Sequence, residues 1–131
     1  MGIAARTLTR MVASGPYGKL HMDRFPVSGY CTAHSGDSWV TDAAAAGTAL
    51  ATGYKTNNGN VGIMADGERK ITLFDRAASI GKSIGIISTG RVTNPFCASF
   101  YSHVPNKYLE NEIAEQLIKK KITLLYGGGK I

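Results

Sequence analysis

One segment of the chain has the composition of a site that presents a nucleophile. In "VTDAAAAGTALATG", residues 40–53, an acidic residue follows a predicted strand and precedes a run of small residues that predicts a helix. Small side chains let backbone N–H groups approach a ligand, and a helix N-terminus favours an anion. The residue after Asp42, however, is Ala43, which has no nucleophilic atom. Alternatively, Asp42 is only a helix N-cap and the alanines only pack against a sheet.

Two other predicted strand ends carry polar groups. In an open parallel sheet, functional groups gather at the carboxyl ends of the strands. The segment 89–96 offers Arg91, Thr93 and Asn94. Arg91 could bind an oxyanion or simply form a surface ion pair. The segment "YGGGK", which ends at Lys130, lacks the spacing of a phosphate-binding loop, and we interpret it as a flexible strand exit.

The histidines and cysteines give weaker signals. The motif "HMD" could supply two metal ligands, His21 and Asp23, but a catalytic zinc needs three from the protein. We therefore expect surface histidines at the three positions, which are His21, His34 and His103. Cys31 and Cys97 either pair or both stay reduced, and neither belongs to a CxxC motif. We expect both to behave as small buried apolar groups.

Composition places the chain among ordinary globular proteins. Its 131 residues are 44% hydrophobic and 18% charged, which is typical of one domain. No apolar run approaches the ~20 residues that span a bilayer, and the N-terminus lacks the apolar region of a signal peptide. The net charge of +6 favours anionic partners. We expect no nucleic-acid binding, because no motif of that kind occurs and the run Lys119–Lys121 is typical of a solvated helix end.

The pattern of apolar residues predicts an α/β fold: a mostly parallel sheet with flanking helices. Helices are predicted at 1–12, 43–52, 71–80 and 108–120, and strands at "DSWVTD", "SIGIIST" and "ITLLYGGG". The strand "SIGIIST" is uniformly apolar, which indicates a parallel strand covered on both faces. We expect residues 55–70, with turn signals at Asn58-Gly59 and Asp66-Gly67, to form an exposed loop or ribbon.

Three stretches resemble the alkaline phosphatases. These are "FPVSGYCTAHSGDSWVTDAAAAGTALATGYKTNNGNVGI", "GKSIGIISTGRVTNPFCASFYSHV", and "ENEIAEQL" with "LLYGGG". The resemblance covers nearly the whole chain and implies that residues 1–131 form a single incomplete α/β domain, the N-terminal part of that fold. It implies metal-dependent hydrolysis of phosphomonoesters through a phosphoserine, with two zinc ions, a magnesium ion and an arginine that holds the phosphoryl oxygens.

The resemblance also assigns roles to five positions. Asp42 matches the acidic residue before the nucleophile, and Ala43 stands at the position of the nucleophilic serine. Lys107 stands at the position of the phosphate-binding arginine, and keeps its charge without the bidentate fork. Asn94 and Phe96 stand at positions of metal-site residues, where neither is expected to bind metal.

Further parts of the family's site are expected to be missing. Met1-Gly2 resembles the end of an Asp-Gly-Met-Gly motif whose aspartate would precede Met1, and the remaining zinc ligands belong to a C-terminal half. We therefore expect a catalytically inactive chain that does not bind zinc or magnesium. A pseudoenzyme, a non-catalytic anion-binding or interaction protein, and an engineered serine-to-alanine fragment remain alternatives.

Two expectations concern the surroundings of the protein. A partial fold would leave apolar surface uncovered, which predicts self-association. The family resemblance suggests a periplasmic or secreted location, although the chain shows no signal peptide. Phosphate or a phosphomonoester is the expected small-molecule partner. A basic nucleic-acid binder would rest on net charge alone and would have to show strongly salt-dependent DNA retention.

Overall fold

The chain divides into two units in the computed structural model, residues 1–32 and 33–131. The structure describes residues 3–15 and 17–129. The first unit contains helix α1 (Ile3–Ser14) and a single 3-10 turn (His21–Arg24), which are linked by an ion pair between Arg6 and Asp23. The predicted N-terminal helix is confirmed from Ile3 onward and ends two residues later than expected, whereas residues 1 and 2 lie outside the described part of the chain. Residues 25–31 are irregular, as predicted.

The second unit holds the remaining elements. In chain order they are α2 (Ala43–Thr52), α3 (Leu73–Ser79), β1 (Gly85–Arg91), α4 (Pro95–Ala98), α5 (Glu110–Lys119) and β2 (Leu124–Gly128). The two strands pair in parallel, with Ile87 beside Tyr126. The predicted α/β class with a parallel sheet is confirmed. The prediction of one domain over 1–131 stays a prediction. Among the described residues, no helix is both long enough and apolar enough to cross a bilayer.

The bounds of α2 follow from its two ends. The carboxylate of Asp42 accepts a hydrogen bond from the backbone N–H of Ala45 at 2.8 Å, which caps the first turn. Gly53 ends the helix with φ of +83°, a conformation that glycine adopts without strain. Both bounds agree with the sequence prediction.

The core of the second unit lies between these helices and the sheet. It consists of Ala44, Val61, Ile86, Ala98, Tyr101, Val104, Ile113 and Leu117. Val61 reaches this core through an antiparallel bridge to Val104, so residues 61–64 are buried. The expectation of an exposed loop over 55–70 is therefore wrong for this segment.

Other sequence predictions need correction. Residues 37–42 form no strand, because the N–H of Asp42 is bonded by the Asn58 side chain rather than by a neighbouring strand. The short helix α4 was not predicted. Ile118 is 83% exposed, because α5 buries only Ile113 and Leu117. Cys31 is exposed, Cys97 is half-buried, and both are free thiols.

One face of the sheet is uncovered. The prediction that β1 is covered on both faces is wrong, because only Ile86 of that strand is buried. Ile87 and its pairing partner Tyr126 are 74% and 73% exposed, and Leu124 on the same face is 51% exposed. Parallel sheets usually have both faces covered. We call the surface formed by Ile87, Leu124 and Tyr126 the open sheet face.

Candidate functional site

The candidate site lies at the N-terminus of α2, where Asp42 joins three parts of the chain. Its Oδ1 accepts the N–H of Ala45 at 2.8 Å. Its Oδ2 accepts the N–H of Gly59 and the ammonium of Lys107, both at 2.9 Å. Asp42 therefore fixes the start of the helix, a turn seventeen residues later and a lysine 65 residues later at one place.

The turn at Asn58-Gly59 completes this arrangement from the other side. The Asn58 side chain accepts the N–H of Asp42 at 2.9 Å and donates to the carbonyl of Val40 at 2.9 Å. The N–H of Lys107 donates to the carbonyl of Gly59 at 2.8 Å. Gly59 has φ of +88°, which favours glycine at this position. Each partner of the Asp42 carboxylate is thus itself held by the backbone.

The electrostatics of the site follow from these bonds. Burial disfavours the charged form of Asp42, but the bonds from Ala45, Lys107 and Gly59 outweigh burial, so its pKa lies below the usual range. The hydrogen bond to Asp42 raises the pKa of Lys107. At neutral pH the site therefore holds a carboxylate and an ammonium, beside the positive end of the α2 dipole.

Ala43 is exposed at the first position of α2, next to this ion pair. The first N–H groups of a helix have no partner within the helix. Asp42 takes the amide of Ala45 and Ala44 is fully buried, so the amide of the exposed residue Ala43 is the one that remains accessible at the helix start. The methyl group of Ala43 can neither attack phosphorus nor hold a proton. The geometry can bind an anion, but position 43 supplies no nucleophile.

Asn94 is the residue before helix α4, and Phe96 lies within that helix. The Asn94 side chain accepts the N–H of Phe96 at 3.1 Å and caps α4. The Phe96 ring is 40% exposed and lies 6.1 Å from the ring of Phe100, centre to centre. The backbone of Phe96 packs against Gly47, whose added Cβ would lie 3.0 Å from the Phe96 carbonyl oxygen.

The residues present do not fit zinc or magnesium. Asn94 uses its oxygen as a helix cap, and Phe96 has no donor atom. Within residues 3–15 and 17–129, no group of three His, Cys, Asp or Glu side chains could hold a metal ion.

The other candidates have structural partners. Arg91 forms an ion pair with Glu110 at 2.9 Å, and Thr93 donates to the same carboxylate at 3.3 Å. His103 Nδ1 lies 2.6 Å from the carbonyl oxygen of Gly62. Met1, Gly2 and Lys130 lie outside the described residues.

Sequence reasoning missed the role of Asn58 and Gly59, because their dipeptide was interpreted only as a turn signal. A side-chain amide immediately before a turn glycine was the available signal, since Asn can bond backbone groups on both sides.

Comparison with known proteins identifies the family. The alkaline phosphatase family model matches residues 1–131, and the chain belongs to this family. It is 36% identical over 100 residues to alkaline phosphatase 4 of Bacillus subtilis, which covers 70% of this chain and 21% of the relative. It is 32% identical over 153 residues to streptomycin-6-phosphate phosphatase of Streptomyces griseus, covering 98% of this chain and 34% of the relative.

A solved structure agrees with this assignment. A mutant of TAB5 alkaline phosphatase with Mg bound in the M3 site matches with a TM-score of 0.92 and 29% identity, covering 98% of this chain and 36% of that chain. TAB5 is an Antarctic bacterium. The chain thus spans between about a fifth and about a third of the length of these proteins. The predicted partial alkaline-phosphatase-like fold is confirmed.

Proposed function

We propose that this chain binds phosphate or a phosphomonoester at the N-terminus of α2 without hydrolysing it. The observation that carries the proposal is that Ala43, the first residue of α2, is exposed and lies next to the Asp42–Lys107 ion pair. The amide of the exposed residue Ala43 and the Lys107 ammonium suit an anion. The missing oxygen and the unsuitable metal donors leave no route to a phosphoserine.

Membership of the alkaline phosphatase family supports phosphate as the anion. Zinc and magnesium, which the family resemblance implies, form no part of the proposed complex, because Asn94 and Phe96 do not offer suitable ligands. Lys107 would contact the phosphoryl oxygens as a point charge, since an ammonium lacks the planar fork of arginine.

Phosphate binding is tested by calorimetric titration with inorganic phosphate. We expect binding by the unmodified chain and a loss of at least tenfold in affinity for Lys107→Met. The control is Lys82→Met, which removes the same charge from an exposed lysine outside the site and should leave affinity unchanged. Equal affinity of both variants would contradict the proposed site.

Catalysis is tested with an aryl phosphate in the presence of added zinc and magnesium. We expect no phosphate release by the unmodified chain, and none by Ala43→Ser, because the serine would still lack metal ligands. Chelator-sensitive turnover by the unmodified chain would overturn the proposal. Turnover that appears only in Ala43→Ser would favour the alternative, an active phosphatase silenced at one position.

A further inference from the structure

A second pocket lies beside the candidate site, in the loop of residues 34–39. It has a volume of about 260 Å³ and is lined by His34, Ser35, Gly36, Asp37, Ser38 and Trp39. The indole of Trp39 is 91% exposed, and its ring centre lies 5.9 Å from that of the His34 imidazole, at an angle of 49°. The pocket therefore combines two aromatic rings with one carboxylate.

Hydrogen bonds hold the loop in this shape. Asp37 Oδ1 accepts the hydroxyl of Ser35 and the N–H of Asn58, both at 2.9 Å. The N–H of Gly36 donates to the carbonyl of Thr56 at 2.7 Å, and Ser35 is buried. The bonds from Asn58 and Ser35 also hold the pKa of Asp37 below its usual range. The carboxylate is thus fixed and charged before any ligand arrives.

This combination favours a cation that carries apolar groups. An indole face attracts cations, and quaternary ammonium groups are typically bound by aromatic rings. The Asp37 carboxylate adds Coulomb attraction to a cation. The Lys55 ammonium donates to the His34 carbonyl at 2.5 Å but does not line the pocket.

The pocket and the phosphate site are adjacent. Asp37 and Asp42 accept the N–H groups of consecutive residues, Asn58 and Gly59, each at 2.9 Å. Because consecutive residues are spaced by about 3.8 Å, the two carboxylates lie within ~10 Å of each other. We propose that the Trp39–His34–Asp37 pocket binds the ammonium group of a phosphomonoester whose phosphate occupies the α2 N-terminus. The ligand class is then the phosphate esters of amino alcohols, and this inference rests on the proposed function.

The protein contains one tryptophan, so its fluorescence reports on this pocket directly. Choline chloride is titrated against the unmodified chain, with the uncharged isostere 3,3-dimethyl-1-butanol as the control ligand. We expect a saturable change of Trp39 emission with choline and none with the alcohol. Asp37→Asn should weaken choline binding at least tenfold, whereas Asp66→Asn, which removes an exposed carboxylate from another turn, should not. Circular dichroism checks that both variants are folded.

Phosphocholine and inorganic phosphate separate this inference from the proposed function. We expect phosphocholine to bind at least tenfold more tightly than either choline or phosphate, and to lose this advantage in both Asp37→Asn and Lys107→Met. Absence of a choline response overturns the ammonium pocket, even if phosphate binds. Absence of phosphate binding with an intact choline response overturns the proposed function and the link between the two sites, and leaves the ammonium pocket standing. Binding of both ions with no advantage for phosphocholine overturns the link between the two sites.

Discussion

Replacement of Asp42 by alanine should destabilise the protein by about 2–3 kcal/mol. Loss of an N-cap costs about 1 kcal/mol, and the Ala45 N–H at 2.8 Å depends on this cap. The variant also loses the hydrogen bond from the Gly59 N–H to the Asp42 carboxylate. A hydrogen bond to a charged group contributes at least about 1.5 kcal/mol, and we use this lower value because Gly59 is partly exposed. We assign no contribution to the free energy of unfolding to the ion pair with Lys107, because water screens an ammonium that lies at the surface.

The variant Asp42→Asn separates these contributions. Asparagine caps a helix as well as aspartate, so the bond to Ala45 should survive. With its oxygen on Ala45, its NH2 group accepts from neither Gly59 nor Lys107, so only the cap is kept and the cost should fall by about 1 kcal/mol relative to alanine. The control is Asp66→Ala, whose carboxylate accepts only the N–H of Glu68 in an exposed turn.

The assay is urea unfolding followed by far-ultraviolet circular dichroism, with the slope of the transition compared among all variants. A free energy of unfolding for Asp42→Ala within about 0.5 kcal/mol of that for Asp66→Ala would refute the reasoning, since surface substitutions without special roles fall in that range.

Three further predictions concern packing, pH and association. Gly47→Ala should cost about 1–3 kcal/mol in urea unfolding, because its Cβ would meet Ser99 and Phe96 at 2.9–3.1 Å, whereas Gly29→Ala, with nothing within 4 Å, should not. Because the pKa of Asp42 is lower in the folded than in the unfolded protein, where it is about 3.9, this residue contributes to the free energy of unfolding above that pH. The contribution should disappear as the pH falls below about 3.9, and a decrease in the free energy of unfolding that begins above pH 5 would contradict this prediction. Light scattering should detect self-association through the open sheet face, which Tyr126→Lys should weaken; a monomer at all concentrations would oppose it.

The helices were predictable where local chemistry fixes them. In α2 the capping aspartate and the terminal glycine both lie within the segment, so its bounds agree with the structure. The strand predicted at 37–42 was wrong because a distant side chain, that of Asn58, replaces the strand neighbour. Burial of Val61 depends on a bridge to Val104, 43 positions away, which no local pattern records.

The site was predictable only in part. The role of Asp42 as a cap follows from its position, but its ion pair with Lys107 spans 65 residues. Only the family resemblance placed Lys107 near the helix start. The burial of β1 was overestimated because an apolar sequence shows what a strand can bury and not what covers it in this chain.

Gly47 also shows which atoms beneath α2 hold the helix at its depth. The nearest atoms beneath Gly47 are the hydroxyl of Ser99 and the carbonyl oxygen and Cα of Phe96. Packing against α2 therefore constrains the backbone path at position 96 more directly than the identity of its side chain. The main chain at position 96 thus helps to hold the helix that carries Ala43 in place.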